Sequence, residues 1–159
     1  HYSEMDSMEA MRLVIDNLPH VMEEPQNIEY RKKMSLADTL AGRALANSGA
    51  SAPHPLSEII GGIVHMTHGE ALAVVFPPFV QHAEAENKEK FAEVAKLFGK
   101  DDLYTGLVEF LEKIGLNKKL KDFGITEEQL SEILSSPILD HLPFGSREFL
   151  ENILKDAYE

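Results

Sequence analysis

Three of the seven histidines in this 159-residue sequence crowd one segment, Ala52-Pro53-His54-Pro55-Leu56-Ser57-Glu58-Ile59-Ile60-Gly61-Gly62-Ile63-Val64-His65-Met66-Thr67-His68-Gly69-Glu70. Neutral imidazole is the usual nitrogen ligand of zinc, iron and related ions, so the grouping points to metal chemistry. His54 and His68 are 14 positions apart. On one straight helix they would share a face yet stand about 21 Å apart along the axis. They meet at one ion only if the chain turns back between them. The pair Gly61-Gly62 is expected to supply that break, since paired glycines end helices and permit unusual dihedrals. Pro55 suits the first position of a short helix, which would leave His54 at its mouth, and His68 would open the next helix.

A rival pair is His65 and His68, which at i, i+3 would share a helix face and could chelate. Thr67 and Gly69 favour a helix start near His68, however, which puts His65 in the connection, where its ring would line the site without binding. Two imidazoles are an incomplete site in either case, because three or four protein ligands are normal. Glu58 follows His54 by one turn. It is open to three roles (third ligand, proton shuttle, partner to a ligand) and to the plainer reading of a solvated helix carboxylate. Glu70 sits in a first turn, where the helix dipole favours a carboxylate. His20, His82 and His141 stand alone and read as hydrogen-bonded or solvated side chains, and His1 is terminal. Other chemistries lack their residues. There is no cysteine for a disulfide, a thiolate ligand or a thiol nucleophile. There is also no P-loop, no G-x-G-x-x-G after a strand, no G-x-S-x-G and no H-E-x-x-H.

The elements that must carry these residues are helical. Leu103, Leu107, Phe110, Leu111 and Ile114 form one amphipathic stripe; Phe91, Val94, Ala95 and Phe98 form another. Shorter stripes fall at Leu130, Ile133 and Leu134, and at Leu150, Ile153, Leu154 and Ala157. The pattern predicts helices over 4–17, 27–47, 55–63, 68–86 (interrupted or kinked by Pro77-Pro78), 88–98, 102–114, 127–135 and 146–157. Thr126 and Gln129 are spaced as a capping box, Asn87 is placed to cap the Phe91 helix, and Gly99 to end it. Pro19, Pro25, Pro137 and Pro143 are assigned to connections. No stretch alternates as a strand would, so the expected fold is a single all-α domain over residues 1–159.

Composition excludes some partners. Twenty-seven acidic against 15 basic residues give a net charge of −12, which disfavours nucleic acid and anionic membrane surfaces, since both need clustered Lys and Arg. The longest apolar run, Ala71 to Val80, is too short for a membrane span. The absence of cysteine fits a reducing compartment, and the expected location is cytoplasmic.

The histidine segment resembles the iron-containing (group III) alcohol dehydrogenase family. The resemblance is carried by Gly49-Ala50-Ser51-Ala52-Pro53-His54-Pro55-Leu56 and by His68-Gly69-Glu70-Ala71-Leu72-Ala73-Val74-Val75-Phe76-Pro77. It extends to Ser3-Glu4 with Met8 to Val14, to Ala41-Gly42 with Asn47 and Ser48, and to Asp122-Phe123-Gly124-Ile125 with Leu130. It implies a multi-helix domain like the C-terminal metal-binding half of dehydroquinate synthase-like and iron-type alcohol dehydrogenases. Such enzymes pair it with an N-terminal α/β domain that binds NAD or NADP. They hold a divalent metal (Fe2+ or Zn2+) with one Asp and three His, the substrate oxygen binding the metal. The later two histidines map onto His54 and His68. The Asp and first His belong to an Asp-x-x-x-His motif ahead of the Ser3 to Val14 helix. That motif is absent here, and His1 falls too close to the helix to replace it. Many members carry a histidine where Glu58 stands, which makes Glu58 a candidate proton relay or substrate contact.

The resemblance thus implies the C-terminal metal-binding domain of an NAD(P)-dependent alcohol dehydrogenase. The full-length enzyme would interconvert a small alcohol and an aldehyde or ketone by reversible hydride transfer. The isolated chain is expected to be inactive and to bind metal weakly. A homodimer is one assembly open to it. Two other readings compete: a non-catalytic acidic helical module for protein interaction, and a stand-alone metal hydrolase using His54, Glu58, His65 and His68.

Overall fold

The computed structural model describes residues 2–159; His1 lies outside them. Their regular secondary structure is entirely helical. The α-helices are α1 (Tyr2–Glu23), α2 (Ile28–Ser48), α3 (Pro53–Val64), α4 (His68–Ala95), α5 (Leu103–Lys113), α6 (Glu127–Leu134) and α7 (Arg147–Tyr158). Short 3-10 turns stand at Lys96–Phe98, Leu120–Phe123 and Pro137–Asp140. The all-α expectation is met. The chain forms two compact units, one of residues up to Ala50 with Glu89–Ile114, the other of Ser51–Lys88 with Gly115–Glu159. No helix among the described residues is long and apolar enough to cross a membrane.

In the first unit, α1 and α2 pack as a helical hairpin joined by residues 24–27. Small and apolar side chains at helical spacing, Ala10 and Leu13 on α1 and Ala37 and Ala44 on α2, are its buried face. Arg43 near the end of α2 bonds Asp6 near the start of α1 at 2.9 Å, which ties the open end of the hairpin. The helix α1 does not stop at residue 17 as the pattern predicted. It continues through a buried Pro19 to Glu23. The missing Pro19 N–H removes one backbone bond, and burying the apolar ring offsets that loss. Downstream, Gly99 leaves the Lys96–Phe98 turn at φ +68°, and the Asp102 side chain caps α5 through the Thr105 N–H at 2.6 Å.

The second unit has the larger apolar core. Leu56 and Ile60 of α3, Val74 and Val75 of α4, Leu120, Ile133, Leu139, and Leu150, Ile153 and Leu154 of α7 are almost wholly buried. The Thr126 and Gln129 box forms as read, with the Gln129 N–H donating to Thr126 Oγ1 and the Thr126 N–H to Gln129 Oε1. Three punctuation readings are overturned. Backbone dihedrals stay helical through Pro77-Pro78, both buried, and the break in α4 comes at Asn87 (φ −125°, ψ 18°). Asn87 does not cap the helix that follows. Its amide donates to the Ala83 carbonyl at 2.8 Å, the acceptor its own N–H would use in a continuing helix. Nor does Gly61-Gly62 end α3, which runs on to Val64.

Candidate metal centre

The helix α3 begins earlier than expected. Pro53 takes the first helical position and is buried, with Leu56, Ser57, Ile59 and Ile60 buried behind it. His54 therefore stands in the first turn, half-buried, while His68 is the first residue of α4 and is exposed. The reversal between them is made at His65. Its backbone is left-handed (φ 57°, ψ 27°), and its N–H closes on the Gly61 carbonyl at 3.0 Å. No other non-glycine among the described residues has positive φ. Gly61 contributes space instead of a helix end: a β-carbon there would sit 3.1 Å from the Met66 carbonyl oxygen. The return chain can thus pass close to α3.

This turn brings the His54 and His68 rings together, with centroids 5.3 Å apart and planes inclined by 41°. Two imidazoles sharing one tetrahedral ion, with N–metal bonds of about 2.0–2.1 Å, place their centroids about 5 Å apart. The pair therefore fits two positions in the coordination shell of a divalent ion. Thr67 Oγ1 donates to Glu70 Oε2 at 2.5 Å at the start of α4, which accounts for Glu70 structurally.

The other predicted residues are not drawn in. Glu58 is exposed on α3, one turn beyond His54, and His65 is exposed at the end of α3. Among the described residues no three His, Cys, Asp or Glu side chains converge as a metal-binding group. Glu58 is therefore not a third ligand beside the two rings, and the four-residue hydrolase set does not assemble. Of the histidines read as ordinary, His82 bonds Asp156 at 2.7 Å and His20 stacks on Tyr30.

Ser57 is a site residue that spacing did not reveal. It is almost fully buried. Its hydroxyl lies 2.7 Å from the His54 carbonyl oxygen and 3.0 Å from His68 Nδ1. The local contact was foreseeable, since helical serines often bond a carbonyl three or four residues back. The contact to His68 exists only once α3 and α4 have turned on each other.

The architecture is all-helical, and two imidazoles converge at the turn from α3 to α4. The chain belongs to the Fe-containing alcohol dehydrogenase family, whose C-terminal family model matches residues 1–158. It is 27% identical to 1,3-propanediol dehydrogenase of Klebsiella pneumoniae, over 96% of this chain and 43% of that protein. It is 29% identical to 4-hydroxybutyrate dehydrogenase of Clostridium kluyveri, over 99% of this chain and 47% of that one. Among solved structures, a 1,3-propanediol oxidoreductase superposes with a TM-score of 0.89 at 25% identity, covering 98% of this chain and 45% of its own. The chain thus spans less than half the length of these relatives.

Proposed function

We propose that these residues form the metal-holding helical domain of an NAD(P)-dependent dehydrogenase that interconverts a small alcohol and its aldehyde or ketone. The observation that carries this reading is the 5.3 Å approach of His54 and His68 in a chain of the Fe-containing alcohol dehydrogenase family. Its relatives named for 1,3-propanediol and 4-hydroxybutyrate support a short hydroxylated substrate. His54 and His68 supply two neutral nitrogen donors, which suit Fe2+ or Zn2+. The remaining ligands and the dinucleotide site belong, in this reading, to a nucleotide-binding half outside these 159 residues. A bound divalent ion supplies Lewis-acid polarisation of the alcohol oxygen.

The chain's own part is to hold and orient. The buried Pro53, Leu56, Ser57, Ile59 and Ile60 fix α3, so the His54 ring is presented from a rigid first turn. Glu58, on the same helical face and open to solvent, is assigned to substrate contact or proton passage.

The test is metal content and NAD(P)-linked alcohol oxidation in protein that includes the nucleotide-binding half. His68→Ala is expected to lose most of both. Full metal content and full activity in that variant would contradict the assignment.

A further inference from the structure

We propose that Ser57 is a positioning residue that fixes the neutral Nδ1–H tautomer of His68 and thereby reserves the Nε2 lone pair for the ion. The proposal deepens the metal reading above and rests on it. A serine hydroxyl has one proton, and two acceptor groups compete for it here, the His54 carbonyl and His68 Nδ1. The distances decide between them. The 2.7 Å separation to the His54 oxygen has the length of an O–H···O bond, and the 3.0 Å separation to His68 Nδ1 that of an N–H···O bond. Ser57 therefore donates to the His54 carbonyl and accepts from His68 Nδ1–H. In a neutral ring the lone pair is then on Nε2, which has no hydrogen-bond partner among the described residues.

Burial strengthens the device. Ser57 is only 1% exposed, so water competes little for its hydroxyl, and the serine sits in the helix that carries His54. One side chain thus links the backbone of one histidine to the ring of the other. A histidine free of such a partner favours its hydrogen on Nε2, which would block the nitrogen that the site needs. Fixing the tautomer through the second ring nitrogen is how partners of metal-binding histidines generally act, and losing such a partner typically weakens metal binding 10–100-fold.

Nitrogen NMR of the intact chain, labelled in its histidine rings and kept metal-free at about pH 8.5, well above the ordinary histidine pKa, reads the tautomer directly. The wild-type His68 signals are expected to show a protonated Nδ1 and an unprotonated Nε2. Ser57→Ala is expected to shift the population to Nε2–H and to weaken zinc binding about tenfold or more, and Ser57→Thr, which keeps the hydroxyl, to restore both. A wild-type ring protonated on Nε2 overturns the proposal, even where the alanine variant fails to fold. An unchanged tautomer in folded Ser57→Ala overturns it too, and leaves the metal reading intact. Unchanged zinc affinity in His68→Ala sinks the metal reading, and with it the purpose assigned to Ser57.

Discussion

The imidazoles of His54 and His68 lie with centroids 5.3 Å apart, each in the first turn of its own helix. Only three residues, 65–67, separate α3 from α4. The approach therefore depends on a sharp reversal, and the left-handed His65 makes it. That conformation costs a residue with a β-carbon roughly 1–2 kcal/mol, so the turn is maintained by the buried helices on either side of it.

Replacing His65 by Gly separates a structural from a ligand role for this side chain. Glycine adopts positive φ freely, and its greater unfolded-state entropy takes back part of the gain. His65→Gly is expected to raise stability by about 0.5–1 kcal/mol in a denaturant titration and to leave zinc affinity unchanged. Lost zinc binding in a stable His65→Gly protein would make His65 a ligand.

The two neighbouring glycines should respond differently to alanine. A β-carbon at Gly62 meets nothing within 4 Å, whereas at Gly61 it meets the Met66 carbonyl at 3.1 Å. Both positions are helical, so the helix preference favours alanine over glycine by roughly 0.5–1 kcal/mol. Gly62→Ala is expected to stabilise by that amount. Gly61→Ala should fall short of it or destabilise, because backbone must give way. Equal midpoint shifts in the two variants would contradict the close passage of the return chain.

How much of this was legible follows from what each residue answers to. The Thr126–Gln129 box and the left-handed Gly99 are local devices, and the sequence displays them. His68 at a helix start was legible from Thr67 and Gly69. Pro19, Gly61-Gly62 and Pro77-Pro78 depart from the sequence expectation for one reason: each carries a local helix-breaking preference, and each stays in a helix within a packed unit. Burial of Pro19, Pro77 and Pro78 and the close contact at Gly61 outweigh intrinsic costs of about 1 kcal/mol for Gly and 3 kcal/mol for Pro. The Ser57 to His68 bond was illegible because it joins residues 11 apart across a tertiary turn.

Asp102 gives a pH-dependent prediction. A hydrogen bond with the Thr105 side chain, and then one from its backbone N–H, holds the Asp102 carboxyl below its ordinary value of 3.8. A folded-state pKa lowered in this way stabilises the fold fully above the unfolded value. The contribution fades as pH falls through the folded value. Asp102→Ala is expected to lose about 1 kcal/mol near neutral pH. Thermal melts should show a constant gap to wild type from about pH 7 to 5 that narrows below about pH 4. A gap that widens in acid would refute this role for the cap.

Glu58 is exposed and joins no three-residue metal-binding group. Glu58→Gln should therefore leave zinc affinity of the chain unchanged. In protein that includes the nucleotide-binding half, it should alter the pH profile of alcohol oxidation. A tenfold fall in zinc affinity would instead place Glu58 in the coordination shell.

The sharing of one ion by His54 and His68 is tested most directly by a double-mutant cycle of zinc binding, measured calorimetrically on wild type, His54→Ala, His68→Ala and the double variant. If both rings hold one ion, each single variant loses about tenfold or more in affinity, and the double variant loses little beyond either one. A single variant that binds zinc as wild type does would mean that the two rings do not meet at one metal.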